Sequence, residues 1–182
     1  MRQISHFNYY EDKKVQAVQL KYKKDGMYAL VILPNERNYI NNYIRSLSLS
    51  NDEYNNILKG LHNSKVNLEL PKFKLEFSQD IKQNLMDLGM YNAFSIKDAD
   101  FNGLKEENGI FIEQVVHKTF LKVDEDGTEA AAVTAISGAG SAAPTEEKIY
   151  DMIVNRPFLF LLCNSNLPSG YEMLFMSKIE TI

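Results

Sequence analysis

The residue types that carry most protein chemistry are few in this chain and poorly spaced for it. The three histidines, His6, His62 and His117, lie far apart, and the single cysteine, Cys163, sits inside an apolar run. Four-ligand zinc spacing is absent, so no metal site is expected. There is no Gly-rich phosphate loop and no nucleophile elbow. The chain is therefore read as a non-enzyme, with no catalytic residues and no cofactor. One segment invites chemistry from outside. Residues 130–145 contain no charged side chain and consist mostly of Ala, Gly, Ser and Thr. A loop longer than about 12–15 residues is uncommon in a compact domain and is usually functional or disordered. Composition alone leaves two readings open, a functional loop and a flexible Ala/Gly/Ser linker.

The elements around this segment follow from periodicity. Val18, Leu20 and Tyr22 alternate with Gln19 and Lys21, as in a half-buried strand. Lys23 to Gly26 supply a turn, and the apolar run Met27 to Leu33 completes a hairpin before Pro34. Tyr39, Ile40, Tyr43, Ile44 and Leu47 have helical spacing. Ser50 and Glu53 form a capping box for a second helix carrying Tyr54, Ile57, Leu58 and Leu61. Val66, Leu68, Leu70 and Phe73 to Phe77 return to strand alternation. Ser78 is expected to cap a short helix from Gln79 to Leu88, which Gly89 ends. Ile110 to Val123 is the longest strand candidate, with Val115, His117, Thr119, Leu121 and Val123 on one face. Three strands follow the uncharged segment: Lys148 to Val154, Pro157 to Cys163 and Tyr171 to Ser177. Pro168 to Gly170 turn between the last two. These elements predict a strand-dominated α+β fold.

Bulk properties exclude several classes. At 182 residues, with 45% hydrophobic residues, the chain is long enough for one domain with a core. Its net charge of −4 gives no footprint for nucleic acid or an anionic membrane. The apolar runs are too short to span a bilayer, and the N-terminus reads as a polar stretch without a signal-peptide core. Cys163 is expected to be buried and inert, and His6 and His62 are expected at the surface.

The flanks of the uncharged segment carry a family resemblance. Val115-Val-His-Lys-Thr-Phe-Leu-Lys-Val-Asp-Glu-Asp-Gly-Thr-Glu-Ala-Ala-Ala132 resembles the strand and hinge of the serpins, and Val154-Asn-Arg-Pro-Phe-Leu-Phe160 resembles their C-terminal signature. Leu70-Pro-Lys-Phe73, Leu88-Gly-Met90 with Ala93-Phe94, and Phe101-Asn-Gly-Leu104 stand in family order. The pattern departs near the end, where Ser177 stands in place of the usual glycine and no proline follows. The resemblance implies a serpin-like C-terminal half spanning residues 1–182 as a partial domain. That half holds strands of the central sheet and of two smaller antiparallel sheets, a few short helices and an exposed reactive loop at about 127–147. The N-terminal half of the family domain is expected to be missing.

The resemblance also implies roles. The loop offers a bait bond, which family spacing places at Ser141-Ala142 or within one to three residues of it. The hinge is Gly127, Thr128, Glu129, Ala130, Ala131 and Ala132. Thr128, Ala130, Ala132, Thr134 and Ile136 share one face without charge, as a strand entering a packed sheet requires. Lys72 and Glu125 correspond to a charge pair where insertion begins. His117 corresponds to a histidine in the sheet's central opening. The expected partner is a serine protease, elastase-like or cathepsin-like, that prefers small residues. Self-association or pairing with the missing half is also expected. The family prior places the protein outside the cell; the absent signal peptide and sequon and the single cysteine suit the cytoplasm as the alternative.

Overall fold

The computed structural model describes residues 1–37, 39–49, 52–104, 109–124, 147–168 and 170–180. Nine strands and three α-helices are present among them. They separate into two compact units, residues 1–73 with 123–182, and residues 74–122.

The first unit is built on a seven-stranded sheet. Its strands are β1 (Arg2–Glu11), β2 (Val15–Lys21), β3 (Met27–Pro34), β4 (His62–Glu69), β7 (Ile149–Ile153), β8 (Phe158–Asn164) and β9 (Met173–Ile179). Their order is β7-β4-β1-β2-β3-β8-β9. All pairs are antiparallel except β4 with β7, which run parallel. The strands expected in two small antiparallel sheets thus run on as one. The link is β1, whose first residues pair with β4 and whose last, Asn8 to Glu11, pair with β2. The N-terminus, expected as a polar stretch, is this strand. Only Phe7 and Tyr9 are buried along it, so a two-residue alternation is hidden among polar neighbours.

Strands β3 and β8 lie inside the sheet and are apolar on both faces, which explains their unbroken hydrophobic runs. One face carries α1 (Ile40–Leu49) and α2 (Asp52–Gly60). There Ile40, Tyr43, Tyr54 and Ile57 pack on Tyr28, Leu30, Ile32, Leu159, Leu161 and Cys163. On β8, the rings of Phe158 and Phe160 meet that of Phe73 in T-shaped contacts, with centroids 5.6 and 5.4 Å away. Cys163 is fully buried, 3.8 Å from the Tyr54 hydroxyl, and burial pushes its thiol up. Ser50 of the expected capping box lies outside the described residues. The carboxylate of Glu53 instead accepts hydrogen bonds from Lys14 Nζ at 2.6 Å and Ser46 Oγ at 2.6 Å.

The turn between β2 and β3 depends on Gly26. Its φ is +74°, and a Cβ there would lie 2.4 Å from Asn166 Nδ2 and 2.6 Å from Asn164 Oδ1. Gly26→Ala is expected to cost more than about 1 kcal/mol, read as a lower urea midpoint at unchanged m-value.

In the second unit, residues 74–122, the central feature is the two-stranded sheet of β5 (Phe73–Asp80) and β6 (Val116–Val123). Two expectations are corrected here. Strand β6 starts at Val116 rather than Ile110, because upstream N–H groups are drawn off the ladder. Ile112 donates to the Ala93 carbonyl at 2.9 Å and Val115 to the Asp80 carboxylate at 3.3 Å. The helix after β5, α3 (Lys82–Asp87), is not capped by Ser78, which is still in the strand. Asp80 accepts the Lys82 N–H at 3.0 Å, and that bond and the one from Val115 hold its carboxyl below the usual range. Gly89, with φ +98°, follows the helix as expected.

Candidate functional site: the two roots of the loop

Strand β6 ends at Val123, and the described residues resume at Glu147, just ahead of β7. The hinge residues Gly127, Thr128, Glu129, Ala130, Ala131 and Ala132, the bond Ser141-Ala142, and Glu125 all lie outside the described residues. Lys72 and His117 are described. Lys72 lies between β4 and β5. His117 lies on β6, exposed, with Nε2 3.2 Å from Thr119 Oγ1 and its ring 6.1 Å from that of Phe77.

At the first root, β6 has β5 on one side and, among the described residues, no strand on the other. A strand edge with no neighbouring strand is the kind of surface to which another strand adds. The faces of the ribbon differ. Phe77 and His117 meet on one. On the other, Lys74 Nζ lies 5.3 Å above the Phe120 ring. Both faces leave apolar side chains in water: Phe77 is 44% exposed and Phe120 63%.

The second root is a clasp that sequence reasoning missed. Among the described residues strand β7 lies at the sheet edge, with β4 as its strand neighbour and Asp151 paired to Asn67. Asn67 Nδ2 donates to Asp151 Oδ1 at 2.7 Å, and Gln16 Nε2 reaches the Asp151 carbonyl at 2.8 Å. Gln16 also donates to the Tyr9 hydroxyl at 2.8 Å, and Tyr9 donates to Glu11 at 2.8 Å. Burial, with the Glu11 bond next, raises the Tyr9 phenol well above its ordinary value. Where the loop arrives, Glu147 accepts from His6 Nε2 at 2.7 Å and faces Lys65 Nζ at 3.8 Å. Lys148 lies 3.9 Å from Glu11 and 4.0 Å above the Tyr150 ring. Exposed pairs such as these contribute only about 0–1 kcal/mol each. Most of the anchoring comes from Met152, fully buried, and from the β4 ladder. His6 and His62 are exposed, as expected, although each has a partner. The polar residues of the clasp have no sequence signal, because they meet from four strands.

Among the described residues, no group of three His, Cys, Asp or Glu side chains is placed to hold a metal ion. No described helix is long and apolar enough to cross a membrane.

Comparison with known proteins places this architecture. A family model described as serpin (serine protease inhibitor) matches residues 1–181. The chain belongs to the serpin family. It is 35% identical over 179 residues to an uncharacterised serpin-like protein of Thermococcus kodakarensis, a match covering 98% of this chain and 40% of that protein. It is 33% identical over 158 residues to the leukocyte elastase inhibitor of Xenopus laevis, covering 86% and 41%. The native structure of tengpin, a thermophilic serpin, superposes with a TM-score of 0.73 at 30% identity, covering 100% of this chain and 46% of that one. The chain thus spans less than half the length of these relatives.

Proposed function

We propose that this chain inhibits serine-type endopeptidases, and cysteine-type ones of similar preference, as a suicide substrate. The observation that carries the reading is that β6, the strand ahead of the uncharged segment, has β5 as its one strand neighbour among the described residues. The protease's serine Oγ attacks the carbonyl of Ser141 and forms an acyl-enzyme. The Ser141-Ala142 bond breaks, and the Ala142 amine leaves with a proton from the protease's histidine. The freed segment that starts at Gly127 then adds to β6 as a strand, carrying the protease with it. Thr128, Ala130, Ala132, Thr134 and Ile136 face inward without charge, and Glu129 stays in solvent. Distortion of the bound protease keeps water from releasing it. By resemblance to the family, Lys72 and Glu125 correspond to a charge pair where insertion begins, and His117 to a histidine in the sheet's central opening.

Gly140, Ser141 and Ala142 are small, so a protease with a shallow primary pocket is the partner, elastase-like or cathepsin-like. The likeness to a leukocyte elastase inhibitor supports that class. A trypsin-like enzyme, whose pocket carries an acidic residue, should ignore the bond. Incubation with an elastase-type protease and mass mapping is expected to give a first cut within 139–143; a first cut elsewhere in the loop contradicts the assignment. The family resemblance favours an encounter outside the cell, with the cytoplasm as the alternative.

A second reading has its own observation. The β5–β6 ribbon exposes Phe77, Val116 and Phe120, and the relatives are more than twice as long. If insertion needs a strand on the far side of the slot, these 182 residues alone are a serpin-like binding protein cleaved as a plain substrate.

A further inference from the structure

Two arginines meet at one end of the seven-stranded sheet. Arg37 lies in the connection from β3 to α1, and Arg156 in the connection from β7 to β8. Both guanidiniums are anchored on Asn155. Arg37 Nη2 donates to the Asn155 carbonyl at 3.3 Å, and Arg156 Nη1 donates to Asn155 Oδ1 at 3.4 Å. Arg156 Nε also donates to the Pro34 carbonyl at 2.7 Å. All three acceptors are neutral. Among the described residues, neither arginine has a carboxylate within ion-pair distance. The ladder in which Phe158 faces Ile179 brings Glu180 toward this end of β8, but Lys178 Nζ already holds its carboxylate at 2.6 Å. Burial, with the Arg37 charge next, pulls the Arg156 guanidinium below its ordinary value. Helix α1 adds to the positive field. It starts at Ile40, just after Arg37, and has no acidic residue in its first turn.

We propose that Arg37 and Arg156 form a binding site for a tetrahedral oxyanion, a phosphate or sulfate group. This does not rest on the proposed protease inhibition. Arg156 is half-buried, and arginine cannot shed its proton to escape a like-charged neighbour. What the pair lacks is a counter-charge, and a dianion matches it. Arg156 donates twice and Arg37 once, so most N–H groups of the two forks are left for a ligand. Planar forks of this kind take two oxygens of a phosphate or sulfate in parallel bonds. The bonds to Asn155 and Pro34 already hold Arg156 in place, so little side-chain freedom is lost on binding. A bound group would tie the β7–β8 connection to the β3–α1 connection, which links binding to stability.

Calorimetric titration of the purified chain with inorganic phosphate, at an ionic strength matched with chloride, tests the site. One saturable site is expected, and filling it should raise the urea midpoint. Arg37→Gln removes one guanidinium at an exposed position. It should weaken phosphate binding by at least about tenfold, with the far-UV circular dichroism unchanged. Arg2→Gln removes the same charge from an exposed strand start beside Glu69, and should leave the affinity within about twofold. Inorganic sulfate should compete with phosphate. Phosphoserine binding more tightly than phosphate would identify a monoester as the source of the group, and equal or weaker binding the free ion; both support the site. Absence of saturable binding overturns the proposal. Equal binding by R37Q and the parent chain overturns it as well, because general salt effects do not need Arg37. Equal loss from R37Q and R2Q would reduce the effect to net charge and overturn it too.

Discussion

Thr134→Arg is expected to turn the chain from a trap into a substrate. Residue 134 is the fourth of the inward-facing positions that start at Thr128, and an arginine there would have to enter the sheet with its charge unpaired. A buried, unpaired charge costs several kcal/mol, so insertion slows and water releases the acyl-enzyme first. The SDS-stable complex should fall by at least about tenfold, the factor set by 1.4 kcal/mol, while the rate of bond cleavage changes little. Val133→Arg provides the control. It places the same charge one residue away on the solvent face, and complex formation should be kept. Stopped incubations with an elastase-type protease, analysed on denaturing gels, give both numbers. Equal loss from the two variants would mean that the loop does not add as a strand with this facing.

The largest effect on stability is expected from Phe160→Ala. Phe160 is fully buried on β8, and its ring makes a T-shaped contact with that of Phe73, centroids 5.4 Å apart. Truncating a buried phenylalanine costs about 3–5 kcal/mol, the lost transfer energy together with the cavity left behind. Domains of this kind have only about 5–15 kcal/mol in total, so the variant should lose a large share of its urea resistance. Leu174→Ala, exposed on β9, should stay within about 0.5 kcal/mol of the parent chain. A small effect at Phe160 would place the core elsewhere than between β8 and Phe73.

The parts of the fold that could be read in the sequence are those where a single element decides burial. Met27 to Leu33 and Phe158 to Cys163 read as strands because both faces are covered. Tyr43, Tyr54 and Ile57 read as helical because one stripe faces the sheet. Strand β1 escaped because its burial depends on neighbours far along the chain, β4 on one side and β2 on the other. Only Phe7 and Tyr9 mark it. The start of β6 was misplaced for the same kind of reason: Ile110 to Val115 look like a strand, but Ala93 and Asp80 take the backbone donors of Ile112 and Val115. The uncharged segment stands out by composition, and its expected hinge at Gly127 lies outside the described residues. The clasp at its far end, Gln16, Asn67 and Asp151, was not, since residues brought together from separate strands leave no spacing to find.

Incubating the purified chain with an elastase-type serine protease and following the mixture on a denaturing gel tests the inhibitory function most directly. Insertion of the loop at the open edge of β6 predicts a covalent complex that survives boiling in SDS, appears as the loop is cut within 139–143, and removes protease activity in proportion to its amount. Complete conversion of the chain to two fragments, with no complex and the protease fully active, would contradict it.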